Sequence, residues 1–178
     1  MRTYLSAVLC ASLALVLVAC SGAVVPRPQE AQESIVFGHI DMSDAPVGLR
    51  WVYIRQYAPP IEAPYWSAGV DDGHYWQWYL KPGSYGLDSF GGSGFNSEYT
   101  FNMPRQSKAL RIVIKKPGVY FLGAYKYKPI ETGIFEQGKY DLVEVDKPTE
   151  ADVLRDLLKL VKGTSVEPKL QARLKEVE

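Results

Sequence analysis

From Ile35 to about Val145 the chain is a series of short alternating runs parted by turn residues, a pattern that points to a β-rich fold. Ile35-Val36-Phe37-Gly38-His39-Ile40 is the first run, and Asp44-Ala45-Pro46-Val47-Gly48 is a turn. Leu49 to Tyr57 alternates, with Leu49, Trp51 and Tyr53 against Arg50, Val52 and Ile54. Ala58 to Pro64 carries three prolines, the mark of a loop or a broken edge. Asp71-Asp72-Gly73 is a turn. His74 to Leu80 reads as a strand with Trp76, Trp78 and Leu80 on a core face and Tyr75, Gln77 and Tyr79 outward. Further strands are expected at Ser84–Phe90, Glu98–Met103, Ala109–Ile114, Val119–Tyr127 and Lys139–Val145. About eight short strands, roughly ten residues apart, predict an antiparallel β-sandwich over residues 35–147. No βαβ rhythm occurs, which excludes a doubly wound sheet.

After Pro148 the period changes to that of a helix. Thr149-Glu150-Ala151-Asp152 has the form of an N-cap followed by acidic residues in the first turn. Val153, Leu154, Leu157, Leu158 and Val161 recur at helical spacing, and Gly163 ends the run. A second helix is expected from Ser165 to Val177, with Leu170, Leu174 and Val177 as its stripe. The segment 148–178 is therefore predicted to pack on the sandwich, against the strand face carrying Phe121, Tyr125 and Tyr127.

Composition narrows the function. Lys+Arg 20 balances Asp+Glu 20, whereas a nucleic-acid binder needs a basic face. A hydrophobic content of 47% does not fit a disordered chain. Two Cys and two His leave little from which to build zinc or iron–sulfur centres, and no cofactor motif is present.

The first residues, MRTYLSAVLCASLALVLVAC, place one arginine before an apolar run, the layout of a secretory signal. The run is shorter than the ~20 residues that span a bilayer comfortably. Its end, Leu17-Val18-Ala19-Cys20, resembles the lipobox of bacterial lipoproteins. That resemblance implies a signal peptide over residues 1–19, cleavage before Cys20, a diacylglyceryl thioether on Cys20 and an acylated new N-terminus. Ser21 after the cysteine resembles the sorting pattern for the outer membrane, on its periplasmic side. Cys10 leaves with the signal and Cys20 carries lipid, so the mature chain keeps no free thiol. Residues 20–34 read as the lipidated N-terminus and a flexible tether, able to lift the domain roughly 40 Å at ~3.3 Å per residue.

A short phrase occurs twice. Residues 81–90 read KPGSYGLDSF and residues 116–125 read KPGVYFLGAY. Pro-Gly predicts a tight turn with the glycine free to take positive φ. The tyrosine two residues on and the leucine two beyond that are expected to face a core together. The phrase, with the opening hairpin around Phe37 to Pro46, resembles the Pro-Gly-x-Tyr element of prealbumin-like and carboxypeptidase-regulatory-like β-sandwiches. That likeness covers residues 35–128 at most and implies a binding or spacer module. The Pro-rich stretch 58–64 and the Gly-rich stretch 91–94 depart from it.

No catalytic site is legible. Gly91-Gly92-Ser93-Gly94 fails the G-x-S-x-G spacing because Phe95 follows Gly94, and it reads as a hairpin loop. His39 and His74 with Asp71 or Asp72 would make a poor metal set, and ordinary strand and turn positions are the better reading. The richest segment runs from Tyr65-Trp66 to His74-Tyr75-Trp76-Gln77-Trp78-Tyr79. Its rings suit stacking on sugars or docking at interfaces. Trp66, His74 and Tyr75 are predicted to form an exposed edge with Asp72 as polar partner. The expectation is a membrane-anchored, non-enzymatic envelope lipoprotein that binds or supports another envelope component. The alternative is a glycan- or peptidoglycan-binding module using residues 65–79.

Overall fold

A computed structural model describes residues 26–103, 110–131 and 139–178. Among the described residues the order is β1 Ser34–Asp41, β2 Trp51–Ala58, β3 Tyr65–Ser67, β4 Gly69–Asp71, β5 His74–Leu80, β6 Gly83–Ser93, β7 Glu98–Asn102, β8 Arg111–Ile114, β9 Val119–Ile130 and β10 Lys139–Glu144. Helices α1 Glu150–Leu160 and α2 Glu167–Val177 follow. The first sheet runs β10-β9-β1-β5-β4. The second runs β3-β2-β6-β7, with β8 on the first part of β6 and β7 on its last part. The fold is mainly β and sandwich-like, as the alternation predicts. Its pairings are antiparallel except β1 with β9, which run parallel. A parallel neighbour cannot be reached by a hairpin. The chain crosses the second sheet before β9 returns beside β1.

Three layers result. Val36, Ile40, Val52, Ile54, Tyr85, Leu87, Phe90 and Ile114 fill the core between the sheets. Ile35, Phe37 and Trp78 on the opposite face of the first sheet pack against Val153, Leu154, Leu157, Val161 and Leu170 of the helical segment. The central strand β1 of the first sheet is thus buried on both faces, which is why Ser34 to Gly38 reads as a continuous buried run.

Two bulges overturn simple alternation. Ser34 pairs with Leu80 but Val36 pairs with Gln77, so β5 carries one extra residue. Tyr75 and Leu80 therefore face the sandwich core, while Trp76 and Trp78 face the helices, the reverse of the expected arrangement for all but Leu80. In β9, Phe37 pairs with Phe121 but His39 pairs with Ala124. The extra residue falls at Gly123, whose φ of 100° lies where glycine is favoured. Val119 and Phe121 before it meet the helices, whereas Tyr125 and Tyr127 after it belong to the sandwich core. The predicted docking of the tail is right for Phe121 and wrong for Tyr125 and Tyr127.

The repeated phrase folds the same way twice. The Tyr85 hydroxyl donates to the Lys81 carbonyl at 2.8 Å, and the Tyr120 hydroxyl to the Lys116 carbonyl at 2.6 Å. Leu87 and Leu122 are buried beside them. The glycines are not at positive φ, contrary to expectation; those that are include Gly73, Gly123 and Gly163. What Gly83 supplies is room, since a Cβ there would stand 2.6 Å from the Ala58 carbonyl and 3.0 Å from the Tyr85 ring. Gly91 and Gly92, expected in a hairpin loop, are buried inside β6.

Thr149 caps α1 as predicted. Its hydroxyl accepts from the Asp152 amide, and the Asp152 carboxylate accepts from the Thr149 amide at 3.0 Å, a reciprocal capping box. Gly163 at φ 79° turns the chain toward α2. Arg173 then ties α2 to the start of α1 through both oxygens of Glu150, at 2.7 and 3.1 Å. No helix among the described residues is long and apolar enough to cross a membrane.

The flexible tether expected over 20–34 does not extend that far. Arg27 pairs with Glu33, Gln29 donates to the Trp78 carbonyl, and the Arg27 guanidinium stands 4.0 Å from the centre of the Tyr79 ring. Glu33 is buried and Glu30 pairs with Lys81 at 3.2 Å. From Pro26 onward the segment lies along β5.

Candidate functional site

The four surface residues predicted from the sequence do not form one exposed edge. Trp66 lies in β3, opposite Ile54 of β2, half-buried against the sandwich core. Its indole N–H is buried without a partner among the described residues. Tyr75 is fully buried, and His74 is buried at 8% exposure. Asp72 alone is exposed, in the left-handed region at φ 44° in the turn before β5. The misplacement has two causes. The loop expected at Tyr65-Trp66 is a strand, and Tyr75 faces the core because Trp76 and Trp78 are needed under the helices. Cys20 lies outside the described residues.

His39 and His74 do meet. They are cross-strand partners with their Nδ1 atoms 3.1 Å apart, and His74 Nε2 lies 3.2 Å from Asp156 of α1. In the arrangement in which Nε2–H of His74 donates to the carboxylate, its Nδ1 accepts from the Nδ1–H of His39. Burial and the neighbouring His74 hold His39 below the usual imidazole range, against a smaller upward pull from Asp41 and Asp72. The Lys159 hydrogen bond, and also that of His74, hold Asp156 below the usual carboxylate range. Asp156 was not anticipated, because nothing local in a helix reveals which strand end it will face. This chain of polar groups ties sheet to helix. Among the described residues no group of three or more His, Cys, Asp and Glu is set to hold a metal.

An array of exposed and half-exposed rings and guanidinium groups lies elsewhere, on the outer face of the second sheet. Val52, Ile54 and Gln56 of β2 point into the sandwich, so Trp51, Tyr53, Arg55 and Tyr57 point out. Tyr65 pairs with Arg55 from β3 and shares that face, as does Arg111, which pairs with Gly86. Cations and rings alternate across it. Arg111 stands 4.4 Å from the Tyr57 ring centre, and Arg55 stands 5.5 Å from Tyr57 and 5.4 Å from Tyr65. Asp88 holds Arg55 at 3.8 Å. Tyr53 is 41% and Tyr65 51% exposed, so both rings offer open surface. Small residues of β6, Gly86 and Gly91, leave the middle of the face low, with Tyr57 and Trp51 leaning over them. The signal was present in the alternation of residues 51–57, but not which side of it would be covered.

Such a face can stack planar groups and hydrogen-bond hydroxyls or carboxylates through guanidinium edges. Compared with protein-family models, with curated proteins and with solved structures, the chain matches none, and the site stands on its geometry alone.

Proposed function

We propose that this chain is a lipid-anchored module of the bacterial cell envelope that binds or braces another envelope component and does no chemistry. The observation that carries the binding part is the open Tyr–Arg face of the second sheet, on the side of the sandwich away from the helices. The anchor part rests on Leu17-Val18-Ala19-Cys20 after an apolar run, and Ser21 favours the periplasmic side of the outer membrane. A rigid two-sheet frame presenting side chains from several strands is a platform suited to recognition.

A second reading, glycan or peptidoglycan binding, is favoured by one specific arrangement. Tyr53 and Tyr65 expose their rings beside Arg55 and Asp88, which suits sugar rings and their hydroxyls. The segment 65–79 contributes Tyr65 to this face, while its other aromatic rings face inward or toward the helices. The test compares wild type and Tyr53→Ala/Tyr65→Ala on isolated peptidoglycan and on solubilised envelope proteins. A genuine stacking face loses about tenfold or more in affinity, the ~1.4 kcal/mol expected of central aromatic contacts. A folded double variant that binds both preparations as wild type does rejects the face.

A further inference from the structure

A groove of about 610 Å³ runs between the edge of the first sheet and the end of α1, lined by Val70, Trp76, Trp78, Tyr79 and Leu160. Pro26 lines the same groove, at the point where the described chain begins. We propose that this groove and its rim are the surface on which the domain rests against a lipid bilayer. The inference rests on the anchor reading of Cys20.

The argument is one of reach. Because residues 26–33 are held along β5, only residues 21–25 separate Cys20 from the folded domain. Six steps at ~3.3 Å place Pro26 within about 20 Å of an acylated Cys20. The surface around Pro26 is therefore the part of the domain that cannot leave the neighbourhood of the anchor. That part carries the partly exposed Trp76 and Tyr79 rings, with Trp78 buried behind them, and indole and phenol rings favour the boundary between acyl chains and water. Leu160 is 46% exposed although its neighbour Val161 is buried in the helix layer. Lys162, exposed in the turn after α1 next to the groove-lining Val161, adds a positive charge, and Asp71 on the groove wall adds a negative one, so it is the wall's apolar and aromatic side chains, and not its net charge, that favour a bilayer. The groove reaches the second sheet only at Ser67 on the β3 edge, and the remainder of the Tyr–Arg face lies on that sheet's outer side.

The full chain, processed in cells and reconstituted in phosphatidylethanolamine/phosphatidylglycerol vesicles, is tested with acyl-brominated lipid, which quenches indoles at short range. Tryptophan quenching is expected in the wild type. It should fall in Trp76→Phe and persist in Trp51→Phe, whose indole is on the second sheet. Leu160→Glu, at a half-exposed position, should also reduce it in a variant whose melting temperature matches wild type. A Gly/Ser insert after residue 25, as long as residues 21–25, should leave it in place, because the contact is held by the surface and not only by a short leash. Absent quenching in a chain that floats with vesicles and carries acyl mass overturns the docking alone. So does quenching that falls in Trp51→Phe but not in Trp76→Phe, or that disappears with the insert. A chain without acyl mass that stays soluble overturns the anchor reading, and this inference with it.

Discussion

Tyr85 and Tyr75 are both enclosed in the core between the sheets, yet their hydroxyls are placed differently. Tyr85 donates to the Lys81 carbonyl at 2.8 Å, while the Tyr75 hydroxyl has no partner among the described residues. Burial raises the ionisation range of both phenols, so neither is charged near neutrality. Removing a satisfied hydroxyl costs about 1 kcal/mol, whereas removing a buried unsatisfied one costs little or stabilises. Tyr85→Phe is therefore expected to lower the urea midpoint, and Tyr75→Phe to leave it unchanged or raise it. Tyr85→Ala should cost roughly 3–5 kcal/mol, because a large ring leaves a cavity. Equal effects of the two Phe variants would contradict the hydrogen-bond assignment.

The helical hairpin depends on its cap and on the sheet beneath it. Thr149→Ala removes the hydroxyl of the capping box and should cost about 1 kcal/mol in urea unfolding. Hydrogen bonds from Thr149, and the charge of Lys147, depress Asp152 from 3.8 to about 2. Its contribution is complete above pH 3.8 and disappears as pH falls toward about 2. Asp152→Asn should flatten that acid limb of the stability profile. His39 acts over a different window. Burial first, and then His74, lower it from 6.5, so the unfolded chain takes up its proton before the fold does. Stability is therefore full above pH 6.5 and declines as pH drops below it, until His39 is protonated in the native state too. His39→Gln should remove this decline in pH-dependent urea melts. Deleting residues 149–178 would expose Ile35, Phe37 and Trp78, and a lower melting temperature with dye-binding apolar surface is expected.

Taken whole, the molecule has two unlike sides. The helices lie on the first sheet, the Pro26 groove opens at its β4 edge with Ser67 of the second sheet on its wall, and the open Tyr–Arg face lies on the second sheet. A module held at a bilayer by the first side would present the second to the periplasm. Cys20→Ala is expected to abolish acylation and leave the precursor uncleaved or the domain in the soluble fraction. Intact mass and membrane fractionation check this, and cleavage elsewhere with no added acyl mass would reject the anchor.

Much of this was legible in residue order. The strand periods, the Thr149 cap, the Gly163 stop and the inward Tyr–Leu pairs of the repeated phrase depend on neighbours a few residues away. Local sterics and hydrogen bonds act at that range, so local pattern is enough to read them. The bulges at β5 and Gly123 were not legible, because each exists only when a strand must keep register with a partner distant in the chain. One inserted residue there moved Tyr125 and Tyr127 from the helix layer to the core. The binding face was half legible. Trp51, Tyr53, Arg55 and Tyr57 alternate with Val52, Ile54 and Gln56 in the chain itself. A strand of period two has two faces, and which one meets water depends on where the other sheet lies. That choice belongs to long-range packing, which buried the aliphatic side and left the tyrosines and arginines open.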